Sequence, residues 1–586
     1  MQAKLEAVAA MAVKEAGVRL RVCRVSGSTL VAIAIAVAFM VSATAFGATI
    51  TVGSLSDTAA PHICTLRDAI SSANLKTRTN GCIAGTGSDI INFSVAGRIA
   101  LASDLPEVTD SKLTITGPAL PGIAIYGGGS LQVMQIAASA NVSLSNLTIV
   151  HASSTSPGPV GGAIQNLGKL SVTNSVFREN QASLSGNGGG AISNDGSLDV
   201  INSTFADNSS ELGGAIHNKG SLTVVNSTFS SNSSSDDGGA IYNNGTLDVT
   251  NSTFAGNNCD AYGGGIATSG SLAVASSTFS GNSSGAQGGG IYLGGGPMTI
   301  TNSTFAGNVG GGATVAVGGL DVMIVNSTFS SNVGTGVQVV RHGVTIKNTI
   351  LANNSGGSCS GVIFDHGYNI ADDSSCGFSA TGSLNDTDPM LDPSGLQKNG
   401  GPTETIGLLS GSPAIDVIPL AACANQASPP SPAIADQRGF PRPDDNESNC
   451  DSGAYEVQDA DAPFSAFAGT MTIASSTGTL DMASRFKLGP GASIDPTTQL
   501  VGLSVGNYAV RLPVGSFVKN SAGYLYHGTI NGVFLRAFIK STAAPRVYSL
   551  ILGSSVGSSL TGNIQTPVTL TIGDNFGSAL MFATVK

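Results

Sequence analysis

The chain has 586 residues, of which 41% are hydrophobic and only 11% are charged, against about 25% charged residues in an average globular protein. It contains 78 glycines and no tryptophan, and its formal net charge is −11. The length predicts several domains with a sizeable core. The acidic balance argues against nucleic acid as a partner, because phosphate binding needs clustered lysines and arginines.

The N-terminus predicts export. Several basic residues, from Lys4 to Arg24, precede the apolar run "TLVAIAIAVAFMVSATAFG", and the small residues at 43–45 fit a cleavage site. The alternative is a single membrane anchor, because the run is nearly long enough to span a bilayer. No basic flank follows the run, so we expect residues 1–45 to be a signal peptide. The mature chain would then have no membrane span and would be secreted or lie at the outer cell surface.

Export also permits disulfides. Six cysteines form three pairs of close sequence neighbours, and these are the pairings that we predict: Cys64 with Cys82, Cys359 with Cys376, and Cys423 with Cys450. Spacing alone does not prove a pairing. Cys259 is left over and is expected to be a small buried residue. Zinc is rejected, because the chain has no CxxC pair and no histidine cluster.

Residues 49–110 predict an N-terminal cap. The segment reads as a strand "TITVGS", a short helix "TLRDAISSAN" and a strand "DIINFSV". Such a cap is needed because the first unit of a repeat protein would otherwise expose its pairing edge.

Residues 111–380 are dominated by a repeat of about 25 residues. Each unit opens with GGAI or GGGI and closes with a phenylalanine, and an asparagine follows three positions later, as at Asn180, Asn257 and, in the last unit, Asn353. The phenylalanines are Phe177, Phe205, Phe229, Phe254, Phe279, Phe305 and Phe329, with Ile350 in the next place.

Within a unit, apolar and polar residues alternate. In "GTLDVTNSTF", Leu247 and Val249 point one way and Asp248 the other. A unit of this length cannot close its own core, but stacked units can. The sequence therefore predicts an all-β fold, a parallel β-helix of roughly nine to eleven coils and roughly 45–50 Å, with the phenylalanines stacked inside. A leucine-rich solenoid is the runner-up, but its L-x-x-L-x-L spacing is missing.

The residues also resemble known families. GGAI paired with "FADN", "FSSN", "FAGN" or "FSGN" is similar to the repeats of chlamydial polymorphic outer-membrane proteins, in the pectin-lyase-like superfamily of right-handed β-helices. "CTLRDAISSAN" at 64–74 resembles the CSLREA domain that begins many exported bacterial β-helix proteins. Residues 386–416, followed by "DQRGFPRP" and "DSGAYE", resemble the choice-of-anchor Q region that ends such helices. The resemblance implies a right-handed β-helix in an exported bacterial protein.

Two regions follow the repeats. Residues 381–457 are rich in proline and predict a wrap around the C-terminal end of the helix. Residues 463–586 contain longer alternating runs such as "VFLRAFIKS", and they predict a separate antiparallel β domain that is sandwich-like. Carboxylates in the wrap make a calcium site an alternative to turn chemistry, which we prefer. They are Asp388, Asp392, Asp416, Asp436, Asp451 and Glu456.

The superfamily includes polysaccharide lyases and hydrolases, and a hydrolase would need a pair of carboxylates close together. Asp199 and Asp248 align two coils apart, at roughly 9.6 Å, which approaches the separation used by inverting hydrolases. Alternation places both on the outer face, so a surface role is preferred. His217 aligns with Tyr242 and Tyr292. It could stack on a sugar ring, but a polar surface position is the preferred interpretation.

No catalytic, cofactor-binding or metal-binding residue is assigned from the sequence, and no cofactor is expected apart from the calcium alternative. The prediction is a monomeric surface or secreted protein with a structural, adhesive or glycan-contact role, and its partner would be an extracellular glycan or a cell surface. The alternative is a polysaccharide lyase or glycoside hydrolase that acts along the helix groove. Its candidate residues would be Asp199, Asp248 and His217, with Lys169, Arg178 and Lys219 as bases on the main coils.

Overall fold

A computed structural model describes residues 47–585 with internal gaps. The gaps are 59–60, 119–121, 155–160, 183–187, 424–434, 444–448, 459–461, 475–478, 490–493, 498, 500, 506–507, 513–514, 531–532, 555–562 and 573–574. The predicted signal peptide, residues 1–45, lies outside the described residues.

Three parallel sheets run along the repeat region, because each strand pairs with its equivalent one coil further on. The first sheet has 13 strands and carries the "GSLDV" segments. In sheet order, its strands are Thr49–Val52, Ser88–Phe93, Lys112–Thr116, Asn141–Ser145, Lys169–Thr173, Ser197–Ile201, Ser221–Val225, Thr246–Thr250, Ser271–Ala275, Met298–Thr301, Val322–Val325, Val344–Lys347 and Ile363–Asp365.

The second sheet has 12 strands and carries the phenylalanines. Its strands are Gly97–Ala100, Ile123–Tyr126, Leu147–Val150, Val176–Arg178, Thr204–Ala206, Thr228–Ser230, Thr253–Ala255, Thr278–Ser280, Thr304–Ala306, Thr328–Ser330, Ile350–Ala352 and Ile370–Ala371.

The third sheet has 16 strands in two rows, which the long strand Val309–Val317 joins. One row carries the isoleucines of the GGAI motifs: Met134–Ile136, Ile164–Asn166, Ile192–Asn194, Ile216–Asn218, Ile241–Asn243, Ile266–Thr268 and Ile291–Leu293. The other row is Ser153–Ser154, Gln181–Ala182, Ser209–Ser210, Ser233–Ser234, Asn258–Cys259 and Ser283–Ser284, and Val333–Val339 and Cys359–Ser360 complete the sheet.

The seven phenylalanines form one continuous stack inside the helix. Their side chains are fully buried, neighbouring ring centroids are 4.7–4.9 Å apart, and the rings are within 8° of parallel. This spacing equals the distance between paired strands, so the coil repeat itself sets the ring contacts. Burying each ring contributes about 1.5–3 kcal/mol.

A ladder of buried asparagine amides runs beside this stack. The Nδ2 group of Asn257 donates to Asn282 Oδ1 at 2.8 Å and to the carbonyl of Phe229 at 3.0 Å. Its Oδ1 accepts from the backbone and side-chain nitrogens of Asn232, at 3.0 and 2.9 Å. Because each amide is satisfied by the coils on either side, the ladder fixes the register between coils.

The last full coil departs from the predicted alignment. Leu351, not Ile350, pairs with Phe329 and continues the phenylalanine column, and Asn354, not Asn353, accepts from Asn332 Nδ2 at 2.8 Å. The two adjacent asparagines, Asn353 and Asn354, allow two alignments of this coil, and the spacing of three residues from Asn348 to Leu351, which matches that from Asn326 to Phe329, indicates the observed one. The shift turns Ile350 outward, where it joins a small cluster that includes Ala414 of the wrap.

The N-terminal cap contains the predicted helix, which spans Leu66–Leu75. Thr65 caps it, because its side-chain oxygen accepts from the backbone nitrogen of Asp68. Lys76 follows the helix and pairs with Asp89 at 3.0 Å and Asp110 at 2.7 Å. These ion pairs tie the helix end to the first coils.

The wrap lies over the second sheet. Thr304 Oγ1 donates to Gln437 Oε1 at 2.6 Å, and Gln437 Nε2 donates to Thr278 Oγ1 at 2.8 Å. The backbone nitrogen of Ala454 donates to Thr328 Oγ1 at 3.0 Å. The wrap therefore binds the outward threonines of three successive coils. Its short strands, Ile418–Pro419 and Asn449–Cys450, pair antiparallel.

Carboxylates of the wrap that were weighed as calcium ligands have protein partners. Asp436 pairs with Arg438 at 2.7 Å, and Glu456 lies 3.4 Å from the fully buried Arg442. Asp451 accepts backbone hydrogen bonds from Asp416 and Val457. Burial raises the pKa of Asp451 to about 7.

Asp388 and Asp392 take part in turns. Each accepts a hydrogen bond from a backbone nitrogen two residues further on, at 2.8 Å. This is the turn chemistry that aspartates supply.

Three disulfides join Cys64 to Cys82, Cys359 to Cys376, and Cys423 to Cys450. Cys259 is buried and unpaired with another cysteine. The first two bridges secure the two ends of the helix, and the third secures the wrap.

Among the described residues of the C-terminal region, 11 strands form a separate sheet, which agrees with the separate β domain predicted from the sequence. Most pairs are antiparallel, but Ala466–Ala474 pairs parallel with the last strand. The strands are Ala462–Pro463, Ala466–Ala474, Thr479–Lys487, Val501–Val505, Tyr508–Leu512, Val518–Asn520, Gly523–Ile530, Val533–Ser541, Val547–Ser554, Asn563–Ile572 and Asn575–Val585. Within the described part of the chain, no helix has the length and apolar character to cross a membrane.

The asparagine ladder can be tested by removing one step. Asn257→Ala leaves the buried backbone nitrogen of Asn232 without its acceptor and removes the side-chain hydrogen bonds to Asn282 and to the carbonyl of Phe229, so we expect a loss of about 3 kcal/mol in the free energy of unfolding. Asn258→Ala changes the exposed neighbour and should cost less than about 0.5 kcal/mol. Urea denaturation followed by circular dichroism measures both, and equal losses would contradict the role of the ladder.

The cysteine assignment can be tested by alkylation of the mature chain. Iodoacetamide should label none of the seven cysteines beyond residue 47 in the native protein, because six are bridged and burial raises the pKa of Cys259 to about 12. Denaturation without reduction should expose Cys259 alone, as read by peptide mass spectrometry. Labelling of Cys64 or Cys82 at that stage would contradict the first bridge.

Candidate functional site

The two aligned aspartates lie on the outer face of the first sheet. Asp199 pairs in register with Thr223, which pairs with Asp248, so the carboxylates are two coils apart. Both side chains are exposed. Desolvation by the surrounding protein raises the pKa of Asp199, and a hydrogen bond with Thr223 opposes this shift. Thr223 therefore separates the two carboxylates on an open sheet surface.

His217 lies elsewhere, on the third sheet. It pairs in register with Tyr242, which pairs with Ala267, which pairs with Tyr292. The rings of His217 and Tyr242 meet edge to face with centroids 5.2 Å apart, and His217 Nε2 lies 3.3 Å from Asn244 Oδ1. His217 is buried, so the expected polar surface position is wrong for this residue.

A row of short loops flanks these residues, because the chain leaves the third sheet between its two rows and turns at each GG pair before it continues in the same direction. Gly213, Gly238, Gly263 and Gly288 have φ between 65 and 74°, in the left-handed region that favours glycine. A Cβ at Gly238 would also lie 2.4 Å from the carbonyl oxygen of Ile241. At the next coil, which carries "GGAT", the loop is absent and the chain continues as one strand, Val309–Val317, with a shift of register between Val309 and Ala313.

The residues just before each GG pair stack as a second column. The nitrogen of Gly213 donates to the carbonyl of Asp237, and that of Gly238 donates to the carbonyl of Tyr262, at 3.0 and 2.9 Å. The ring of Tyr262 lies 4.5 Å from that of Tyr292 and is tilted by 31°. The two columns thus bring three of the ten tyrosines in the chain onto one side of the helix.

We call Tyr242, Tyr262 and Tyr292, with His217 and Asp237 beside them, the tyrosine ladder. Tyr262 is exposed, and Tyr242 and Tyr292 are partly exposed. All three are held by strands or by loops hydrogen-bonded on both sides, so the ladder is preorganised.

The ladder has an unusual charge environment. Burial raises the pKa of Asp237 to about 6, and the charge of Asp236 also raises this pKa. The backbone nitrogen of Tyr262 donates to the Asp237 carboxylate at 3.0 Å, and this hydrogen bond opposes the shift. The pKa of Tyr292 is raised by burial, by Tyr262 and by Asp237, whereas Arg341 lowers it. Asp237 and Arg341 therefore shift the pKa of Tyr292 in opposite directions.

Sequence reasoning found only part of this site. The column of His217, Tyr242 and Tyr292 was aligned correctly, but Asp237 and Tyr262 were missed. Asp237 and Tyr262 each stand directly before a GG pair in the sequence, so an alignment of the units on their GG pairs would have placed them in one column. The ladder offers aromatic faces and hydrogen-bonding groups, and among the described residues no group of three or more His, Cys, Asp or Glu residues could hold a metal ion.

Two family models match parts of the chain. The right handed beta helix region matches residues 240–386, and the Chlamydia polymorphic membrane protein (Chlamydia_PMP) repeat matches residues 226–244. Searches of curated proteins and of solved structures gave no significant match. Neither family range contains residues 64–74 or extends past 386, so the CSLREA and choice-of-anchor Q resemblances stay predictions. Together with the three parallel sheets, the matches confirm the predicted fold class, a right-handed parallel β-helix.

The charge of Asp237 should make stability depend on pH. Its pKa is raised from 3.8 to about 6 in the folded chain, so the folded state binds more protons than the unfolded state between these values. Its contribution to stability is therefore present at low pH and is lost as pH rises from about 4 to 6. The thermal midpoint should fall over this range more steeply in the wild-type protein than in Asp237→Asn.

Asp248→Asn removes the same formal charge from the first sheet and serves as the control. The control should keep the wild-type slope of the midpoint between pH 4 and 6. An unchanged slope in Asp237→Asn would show that the carboxylate is not held in the buried setting described.

Proposed function

We propose that this chain is displayed at a cell surface, where its tyrosine ladder contacts glycans without turning them over. The matched repeat takes its name from polymorphic membrane proteins of Chlamydia, which supports a surface location. The signal peptide predicted for residues 1–45 supports export.

The tyrosine ladder carries the proposal. Tyrosine presents a rigid apolar ring with a polar tip, so it binds ligands that have both apolar and polar faces, as sugar rings do. The rings of Tyr262 and Tyr292 contact each other, with centroids 4.5 Å apart and a tilt of 31°, and Asp237 and Asn244 supply hydrogen-bonding groups beside the ladder. Because the coils repeat about every 4.8 Å, the ladder extends along the helix axis and suits a chain rather than a single small molecule.

A binding role is favoured over catalysis by the position of the acids. Glycoside hydrolases place two carboxylates on either side of the bond that they cleave. Asp199 and Asp248 instead lie in one column of a flat sheet with Thr223 between them. His217 is on another sheet and is buried beside Tyr242 and Asn244. The three residues proposed for the alternative do not converge on one point.

The proposal predicts loss of glycan binding when the ladder is truncated. Tyr262→Ala and Tyr292→Ala should each weaken binding to immobilised glycans about tenfold, which corresponds to the loss of one stacking contact of about 1.4 kcal/mol. Tyr126→Ala removes a partly exposed tyrosine from the second sheet and should leave binding unchanged. A glycan array followed by biolayer interferometry measures these affinities.

Two outcomes would contradict the proposal. Binding that is equal in all three variants would show that the ladder is not the contact surface. Release of reducing ends or unsaturated sugars, abolished by Asp199→Asn or Asp248→Asn, would show that the chain is an enzyme that acts on the first sheet.

A further inference from the structure

We propose that the tyrosine ladder selects glycan chains with free amino groups and rejects polyuronates. The inference rests on the proposed function, because it names the class of glycan that the same ladder takes. It follows from the charge beside the tyrosines and from the chemistry of tyrosine faces.

The loops beside the ladder are acidic. The segments 209–214, 233–239, 258–264 and 283–289 contain four acidic residues and no lysine or arginine. The acids are Glu211, Asp236, Asp237 and Asp260. The loops stack in register, since the nitrogen of Asp236 donates to the carbonyl of Glu211 and that of Ala261 donates to the carbonyl of Asp236. Negative charge therefore repeats along the ladder axis at the spacing of the coils.

The basic groups near the ladder do not offset this charge along its length. Lys219, in the turn after His217, lies 3.6 Å from Asp195 and is paired with it. Arg341 lies at the Tyr292 end. A polyuronate laid along the ladder would bring its carboxylates against Asp237 and its neighbours, and this repulsion disfavours binding.

Ammonium groups fit the same surface for two reasons. A cation over a tyrosine face is attracted by the ring quadrupole, and Tyr262 is the most exposed ring of the ladder. The carboxylate of Asp237 is half-buried beside them, where an ion pair is screened less by solvent than at an open surface. Aromatic faces next to a carboxylate are therefore suited to an amino sugar more than to a neutral or an acidic one.

The repeat adds multivalency. Loops one coil apart carry Glu211, then Asp236 and Asp237, then Asp260. A polymer with an amino group on each sugar can meet several of these carboxylates at once, so its affinity should exceed that of a single sugar. The formal charge of −11 on the whole chain favours the approach of a cationic polymer.

The experiment uses the full mature chain and four soluble hexamers: β-1,4-linked glucosamine, its N-acetylated form, cellohexaose and hexagalacturonate. Isothermal titration calorimetry at pH 6.5, above the pKa of Asp237 of about 6, should give at least tenfold tighter binding for the glucosamine hexamer than for the N-acetylated form. Hexagalacturonate should not bind. The preference should shrink when the salt concentration is raised from 50 to 300 mM, because it is electrostatic.

Three variants separate the contribution of the loop carboxylates to binding from those of overall charge and of the tyrosine ring. Asp237→Asn combined with Asp236→Asn should reduce the preference for the glucosamine hexamer over the N-acetylated hexamer to about twofold. Asp248→Asn combined with Asp199→Asn removes the same charge from the first sheet and should keep the full preference. Tyr262→Ala should weaken binding of every hexamer that binds.

The outcomes distinguish this inference from the function on which it rests. If the N-acetylated hexamer, cellohexaose or hexagalacturonate binds as tightly as the glucosamine hexamer and Tyr262→Ala weakens that binding, the ladder is a glycan site and the inferred class is wrong. If no hexamer binds, the proposed function fails as well. Glucosamine binding that Tyr262→Ala leaves unchanged would be general charge attraction, and it would overturn the inference.

Discussion

The structure depends on one constraint, which is that each coil must meet the next in register. The buried amide of Asn257 is satisfied only by groups of Asn232, Asn282 and Phe229 in neighbouring coils. A slip of one residue would leave these groups without partners and would turn the phenylalanine outward. The repeat in the sequence is the consequence, since every coil must present the same groups at the same place.

This constraint applies to the inward positions, and residue types at the other positions vary from coil to coil. One column of the third sheet holds serine in one coil, histidine in the next and tyrosine in another, with Ser193 and His217 buried and Tyr242 partly exposed. The loops before each GG pair vary in the same way. In the second sheet, in contrast, outward threonines are hydrogen-bonded to Gln437 and Ala454 of the wrap. The tyrosine ladder is thus built on positions that the architecture does not use.

The sequence predicted the inner columns well, because the repeat length and the alternation determine which side chains face inward. It failed at Ile350 and Asn353, because the adjacent Asn353 and Asn354 allow two alignments and the wrap provides an apolar partner for Ile350. The contact between Tyr262 and Tyr292 could not be predicted from strand alternation, because Tyr262 lies in a loop. The buried pairing of Arg442 with Glu456 was also missed, since it joins residues of the irregular wrap.

The central claim is that the tyrosine ladder binds a glycan chain. A crystal structure of the mature protein with a bound glucosamine hexamer would test it most directly. We expect sugar rings against Tyr262 and Tyr292, with an amino group within hydrogen-bonding distance of Asp237. Sugar density along the first sheet, beside Asp199 and Asp248, with an empty ladder would contradict it.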